Sequence, residues 1–206
     1  MSHTTFINKQ RSTDLTDFAR IIEKYNCQLS NIPVTYNECG AGVARAASGQ
    51  LFEEFIDGLC KVANLDCRRN DYKRSEVVDG KSLKNLQVDV HGYRDGEMVK
   101  AVESKTYLDA CYLKRAVSDF LELHSSPDVP KNVEYAIFSG QQCVSKESLE
   151  YYKALFRKKT DKELSIFVVN AEKRRRTKRP IYNTAYVNDF SLDLLEVENF
   201  VYFLSK

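Results

Sequence analysis

Residues 86 to 105 decide the fold of this chain, and they read Leu86-Gln-Val-Asp-Val-His-Gly-Tyr-Arg-Asp-Gly-Glu-Met-Val-Lys-Ala-Val-Glu-Ser-Lys105. Two short apolar runs flank Asp95-Gly96 in this stretch. An Asp-Gly pair between such runs is a strong signal for a β-hairpin, because glycine tolerates a positive φ. The stretch therefore predicts two antiparallel strands, over about 86–93 and 97–105.

Three charged side chains would meet on this hairpin. Glu103 and Lys105 share one face of the second strand, because side chains alternate with a period of two. A loop of odd length would set Asp89, on the first strand, directly opposite Glu103. A two-residue loop would shift the pairing by one residue, and a β-bulge could restore it. Two carboxylates and an ammonium would then gather at one point, where a divalent cation would remove the repulsion between the carboxylates.

The pattern of Asp89 followed by Glu103-Ser104-Lys105 on the next strand resembles the active site of the PD-(D/E)XK nuclease superfamily, which includes many type II restriction endonucleases. The proline of the family name is absent, because Val88 precedes Asp89. The triplet acid-x-Lys also occurs at Asp71-Tyr-Lys73 and Asp79-Gly-Lys81. Only the triplet ending at Lys105 closes an apolar strand and has a partner acid on the strand before it. That context carries the resemblance.

The resemblance implies a metal-dependent catalytic site. Asp89 and Glu103 would hold Mg²⁺, with Mn²⁺ as a substitute, together with the backbone carbonyl of Ser104. Lys105 would contact the attacking water or a phosphate oxygen, so that Asp89, Glu103 and Lys105 form the predicted catalytic set. A surface ion-pair cluster of little energetic value is the alternative for these residues. His91 shares a face with Asp89 by strand alternation, and we interpret it as a structural histidine rather than a substrate contact.

A helix before the strands offers a further acid. Its apolar face is formed by Leu51, Phe52, Phe55, Ile56 and Leu59, and Glu53 and Glu54 lie beside that face. Members of the family often carry a Phe-Glu-like pair on such a helix. The resemblance therefore favours Glu53, which follows Phe52, as an accessory acid that contacts metal or water. A solvated position on the helix is the alternative for either acid.

Apolar periodicity predicts the other elements. They are helices over about 14–25, from after Ala41 to about Leu65, over 109–123 and from Ser145 to about Arg157, a loop over 27–42, and strands over 70–78, 133–139 and 164–170. Crossover helices make the later strands parallel. This order is close to the αβββαβ core of restriction endonucleases, and it predicts an α/β (α+β) fold with a mixed five-stranded sheet flanked by helices.

We predict one nuclease domain over residues 1–206. Its core would span about 49–170, with an N-terminal helical extension over 13–48 and a C-terminal basic segment and extension over 171–206. A last strand over 181–187 and a segment over 191–204 would complete the chain; this segment favours a helix, with a strand over 199–204 as the alternative. A chain of 206 residues most simply folds as a single domain.

The basic segment is residues 172–179, with six bases and one acid. Its net charge is +5, so the rest of the chain carries −3, because the whole chain carries +2. This asymmetry indicates a local contact with a polyanion. The predicted DNA-binding residues are Lys173, Arg174, Arg175, Arg176, Lys178 and Arg179, and Tyr182 and Asn183 could join them in base readout. A localisation signal or a solvated loop is the competing interpretation.

Composition excludes several other classes of protein. No apolar run is long enough to span a bilayer, and the N-terminus has no signal-peptide pattern, so we expect a cytoplasmic protein without membrane contact. The six cysteines form no Cys-x-x-Cys pair, and only three histidines are present. A tetrahedral zinc site is therefore not predicted, and we expect reduced thiols rather than disulfides.

These features together predict a Mg²⁺-dependent endodeoxyribonuclease, most simply a type II restriction endonuclease of a restriction-modification system. Its partner would be double-stranded DNA, and cleavage of both strands would need a two-fold homodimer. A repair, recombination or junction-resolving nuclease with the same three residues is the alternative enzyme. A catalytically inactive DNA-binding protein on the same scaffold is the alternative of a different class.

Overall fold

The computed structural model describes residues 3–69, 77–78, 81–82, 88–170 and 190–206. In chain order, its helices are α1 (His3–Ser30), α2 (Ile32–Val62), α3 (Ala110–Ser125), α4 (Lys146–Thr160) and α5 (Leu194–Ser205). Its strands are β1 (Asp66–Arg68), β2 (Val77–Val78), β3 (Lys81–Ser82), β4 (Val90–Arg94), β5 (Glu97–Lys105), β6 (Glu134–Ser139) and β7 (Leu164–Val168). Among the helices in these ranges, none is long and apolar enough to cross a membrane.

Five of the strands form one mixed sheet in the order β1-β4-β5-β6-β7. The β1–β4 and β4–β5 pairs are antiparallel, whereas β5–β6 and β6–β7 are parallel. α3 and α4 connect the parallel strands, as the crossover rule requires. Asp109 caps α3 by accepting from the Tyr112 amide, and Ser145 caps α4. The predicted mixed α/β fold with a five-stranded mixed sheet is confirmed.

Helices cover both faces of this sheet. On one face, Phe52 of α2 and Phe200 of α5 pack against Phe138 of β6, with ring centroids 5.2 and 4.3 Å apart. On the other face, Phe120 of α3 and Phe156 of α4 pack against Tyr135 at 5.3 and 5.2 Å. These helices therefore form two cores with the sheet, and β5 lies between the cores in the middle of the sheet.

The central hairpin closes with a two-residue turn and contains a β-bulge. Asp95 and Gly96 have φ values of 52° and 84°, the left-handed conformations that a tight hairpin turn needs. Arg94 pairs with Glu97 beside the turn, but the register shifts between Gly92 and Tyr93. Beyond the shift, Val90 pairs with Val102. The bulge therefore restores the register in which Asp89 comes opposite Glu103.

Gly92 stands at the bulge because a side chain has no room there. A Cβ at this position would lie 2.6 Å from Cδ2 of the buried Leu65 and 3.1 Å from Cβ of Lys100. We expect Gly92→Val to lower the free energy of unfolding by about 1–3 kcal/mol, through overpacking between β1 and β4. Urea denaturation measures the change. Gly42→Ala is the control, because a Cβ there meets nothing within 4 Å, and equal stability of the two variants would contradict the prediction.

Two predicted elements near the N-terminus are wrong or displaced. The predicted loop over 27–42 is helical, because Pro33 lies in the first turn of α2, where its missing amide costs nothing, and Gly40 absorbs a kink with φ 83° and ψ 174°. The strand predicted over 70–78 is not the first strand of the main sheet. That strand is β1, whereas residues 77–78 pair with 81–82 as a separate two-stranded ribbon. Residues 70–76 lie outside the described residues.

The prediction of reduced thiols is wrong for one pair of cysteines. Cys60 near the end of α2 and Cys67 on β1 form a disulfide, with their Cα atoms 6.4 Å apart. The chain reverses direction through residues 63–65, so that β1 returns along the last turn of the helix within disulfide range. The two cysteines are seven residues apart in sequence, and this spacing alone does not predict that the chain turns back between them.

The C-terminal helix α5 confirms the helical interpretation of residues 191–204. Arg94 holds the C-terminal end of α5 against β4. Its guanidinium donates to the carbonyl oxygens of Leu204, Ser205 and Lys206 at 2.7–3.1 Å. The predicted strand over 181–187 lies outside the described residues.

Candidate active site

The carboxyl end of β5 meets the start of β4 at a cluster of three charged residues. Glu103 and Lys105 are the seventh and ninth residues of β5, and Asp89 directly precedes β4. The Asp89 carboxylate is fixed by two donors: the Ser104 amide donates to its Oδ2 at 2.8 Å, and the Lys105 ammonium donates to the same oxygen at 2.9 Å. Lys105 also donates to Glu103 Oε2. The structure thus brings together the predicted residues Asp89, Glu103, Ser104 and Lys105.

The Glu103 carboxyl is deeply buried. Its residue is 2% exposed, and burial raises the pKa of Glu103 to about 8, helped by the nearby Asp89 carboxylate and opposed by Lys105. Burial alone lowers the pKa of Lys105, but the Glu103 and Asp89 carboxylates outweigh it and raise that pKa above its usual value. At neutral pH, therefore, the cluster holds a charged ammonium beside a carboxyl group that retains its proton.

One carboxyl oxygen of this cluster, Glu103 Oε1, is buried and makes no hydrogen bond within the described part of the chain. No group of three or more His, Cys, Asp or Glu side chains placed to hold a metal is found among the described residues. Mg²⁺, however, keeps several waters and needs only one or two protein carboxylates. Asp89 and Glu103, with the Ser104 carbonyl, fit this requirement in chemistry and number.

Glu53 and Glu54 leave α2 in different directions. Glu53 lines the same cleft as Asp89 and accepts an ion pair from Arg69 at 2.9 Å. Burial raises the pKa of Glu53, Arg69 opposes the shift, and Asp89 adds to it. Glu54 lines a groove between α1 and α2 instead, 3.9 Å from the Lys24 ammonium. Of the two acids, only Glu53 lies where an accessory acid could act.

The cluster opens into a cleft of about 230 Å³. Its lining includes Arg45, Glu53, Asp89, Lys105, Tyr107 and Tyr112. Sequence reasoning did not single out Arg45 or the two tyrosines. Tyr107 and Tyr112 follow Lys105 within seven residues, so a basic and aromatic composition next to the triplet was the available signal. Arg45 lies on α2 and carried no signal, because only the packing of α2 against the sheet brings it to the cleft.

Two further predictions have different outcomes. His91 is fully buried on β4, between its partners Arg68 and Ala101, which agrees with a structural histidine rather than one exposed to a ligand. The predicted DNA-binding residues Lys173, Arg174, Arg175, Arg176, Lys178 and Arg179 lie outside the described residues, as do Tyr182 and Asn183.

Two comparisons of the sequence with known proteins give no match. A scan against models of protein families finds no match, and a search of curated proteins finds no similar sequence. What the site can do must therefore be argued from its own residues.

Proposed function

We propose that the protein is a Mg²⁺-dependent DNA endonuclease that hydrolyses phosphodiester bonds. One observation carries the proposal: Lys105 donates to the carboxyl groups of both Asp89 and Glu103, and Asp89 and Lys105 line a cleft beside the buried Glu103. An isolated surface cluster would be solvated, but the side chains of Glu103 and Lys105 are only 3% and 18% exposed. The same three residues on consecutive strands are those that resemble the PD-(D/E)XK nucleases.

Each residue has a distinct task in this proposal. Asp89 is held in one orientation by the Ser104 amide, and one oxygen of the neighbouring Glu103 carboxyl makes no hydrogen bond with the described residues. These two carboxylates and the Ser104 carbonyl would hold Mg²⁺. When bound, Mg²⁺ supplies Lewis-acid neutralisation of the phosphate charge and lowers the pKa of a coordinated water. Lys105 carries a proton in the resting site, and its ammonium orients the attacking water or a phosphate oxygen once the carboxylates bind the metal.

Two classes of nuclease are candidates for this function. The resemblance favours a type II restriction endonuclease that acts on double-stranded DNA as a two-fold homodimer. The basic segment 172–179, with its net charge of +5, would supply contacts to phosphates. A nuclease that acts on unpaired or branched DNA is the second candidate, and the aromatic lining of the cleft favours it.

Incubation of the purified protein with plasmid DNA tests the reaction. We expect cleavage with Mg²⁺, none with EDTA, and at least a 100-fold lower rate for Asp89→Asn, because the metal loses a carboxylate. Asp57→Asn is the matched control, since Asp57 forms an i,i+4 pair with Lys61 on α2 and does not line the cleft. Discrete fragments would support restriction, and cutting confined to junctions would support resolution. DNA binding without cleavage at any metal concentration would contradict the enzyme and leave an inactive binder.

A further inference from the structure

We propose that the cleft beside the charged cluster is a subsite for one nucleotide with an unpaired base, in which Arg45 binds a phosphate and Tyr107 and Tyr112 stack against the base. This inference rests on the proposed nuclease function and, of its two candidate substrates, selects DNA with an unpaired base at the point of cleavage. It assigns a role to three residues that the reaction itself leaves unused.

Charge around the cleft supports the role of Arg45. Arg69 is paired with Glu53, and Lys105 is paired with Asp89 and Glu103. Arg45 lines the same cleft from α2, and no carboxylate within the described ranges forms an ion pair with it. Its guanidinium therefore has no anionic partner among the described residues, and it lies beside the place where the scissile phosphate would bind. Arginine binds phosphate oxygens in pairs, so a neighbouring phosphate of the same strand is a fitting ligand.

The two tyrosines line the cleft from the segment that follows β5. Tyr107 follows β5, and Tyr112 lies in the first turn of α3, with its amide held by the Asp109 side chain at 2.9 Å. Their rings meet edge to face, with centroids 5.2 Å apart and an angle of 75° between the planes. Each residue is half-buried, so one ring supports the other while part of the pair faces the cleft. Such a supported ring is a stacking platform for a nucleobase.

The size and aromatic lining of the cleft together favour a single strand. A cleft of about 230 Å³ is small enough that it would take one base rather than a length of duplex. In a duplex the bases stack on each other and present only their edges, so the tyrosine rings would gain nothing from them. A base freed from its partner can stack on an aromatic ring, and this contact does not depend on base identity. The cleft therefore favours DNA that is single-stranded, frayed or branched.

Binding of fluorescent oligonucleotides in EDTA tests the subsite without cleavage. We expect Tyr112→Leu to weaken binding of a single-stranded oligonucleotide about 5- to 100-fold, the range that corresponds to one stacked base, and Tyr112→Phe to retain wild-type binding. Blunt duplex of the same sequence should bind Tyr112→Leu within about twofold of the wild type. A 2-aminopurine in the strand reports stacking directly, because its fluorescence is quenched on the ring. Circular dichroism confirms that each variant is folded.

Matched controls come from the same chain. Tyr151 and Tyr152 on α4 form a second edge-to-face pair, also with centroids 5.2 Å apart, and neither residue lines the cleft. Tyr151→Leu should therefore leave single-strand binding unchanged. Arg45→Ala should weaken single-strand binding and reduce the slope of affinity against salt by about one phosphate contact, whereas Arg20→Ala, which removes an exposed arginine of α1, should not.

The outcomes separate the subsite from the nuclease. If Tyr112→Leu and Arg45→Ala bind single strands as the wild type does, the subsite is overturned, even if the wild type cleaves DNA with Mg²⁺. If the variants weaken single-strand binding but no DNA is cleaved under any condition, the subsite stands as a binding site and the nuclease proposal fails. Equal losses on duplex and single strand would also overturn the preference for an unpaired base.

Discussion

Lys105→Ala should reduce DNA cleavage by about 100- to 10,000-fold, the range for loss of a group that positions or transfers a proton. The expectation follows from its place between Asp89 Oδ2, at 2.9 Å, and Glu103 Oε2. No other described lysine lies in the cleft, so no neighbour can replace the ammonium. Single-turnover cleavage of a labelled DNA measures the loss, and gel-shift titration in EDTA should give an affinity within about threefold of the wild type.

The control for this variant must remove an ion-paired lysine elsewhere. Lys61 pairs with Asp57 at 3.1 Å on α2, and its side chain is 76% exposed. Lys61→Ala should therefore cleave at the wild-type rate. Cleavage by Lys105→Ala within tenfold of the wild type would remove the lysine from the mechanism. If Lys105→Ala instead lost DNA affinity and cleavage in the same proportion, the residue would bind substrate without acting in the chemical step.

The central hairpin was predictable because its signals are local. The Asp95-Gly96 turn and the apolar runs on each side determine two strands, and β5 begins and ends at the predicted residues 97 and 105. The position of the bulge was not predictable, because it depends on how closely Leu65, which is distant in sequence, approaches Gly92. The sequence therefore showed that a bulge could bring Asp89 opposite Glu103, but not where in the hairpin the bulge lies.

The loop predicted over residues 27–42 was wrong because packing outweighs the local signals in this segment. Pro33 and Gly40 are strong breakers when taken alone, and together they indicated a loop. In the structure the proline falls in the first turn and the glycine falls at a kink, so both are tolerated within α2. Packing against the sheet then stabilises the helix, with Phe52, Phe55 and Ile56 buried. Burial of this kind overrides local preference and cannot be read from single residues.

The chemistry of the site could be predicted only in part. The identity of Asp89, Glu103 and Lys105 follows from their context on the hairpin. The depth of burial that raises the pKa of Glu103 to about 8 depends on both cores around β5, and no local pattern reports it. The cleft likewise requires α2 to carry Arg45 and Glu53 past the end of β5. A sequence motif can indicate candidate reacting groups, but their burial, their pKa values and the shape of the cleft depend on tertiary packing.

Glu103→Gln should remove a marked pH dependence from the stability of the metal-free protein. The native pKa of Glu103 is about 8, against an ordinary value of 4.5. Between these pH values the native state retains a proton that the unfolded state has released. The stabilisation from this proton is complete below pH 4.5 and is lost as pH rises through 8. Lys105, whose pKa is raised above 10.5, keeps its charge throughout this window.

Thermal and urea unfolding in EDTA at pH 5 to 9 measure the effect. One pKa unit corresponds to about 1.4 kcal/mol, so the wild type should lose on the order of a few kcal/mol across the window, and Glu103→Gln should lose much less. Glu54→Gln is the matched control, because it removes an acid from the groove between α1 and α2, away from the charged cluster, and should keep the wild-type slope. Parallel curves for the wild type and Glu103→Gln would show that Glu103 does not hold its proton in the native state.

The same carboxyl should make metal binding depend on pH. Glu103 must lose its proton before its carboxylate can bind Mg²⁺, so the rise in melting temperature with added Mg²⁺ should grow from pH 6.5 to pH 8.5. In Glu103→Gln this rise should nearly vanish at both pH values, because a neutral amide is a weaker ligand than a carboxylate. This measurement needs neither DNA nor turnover. A rise in Glu103→Gln equal to that of the wild type would place the metal away from Glu103, and the proposed mechanism would then lose its second carboxylate.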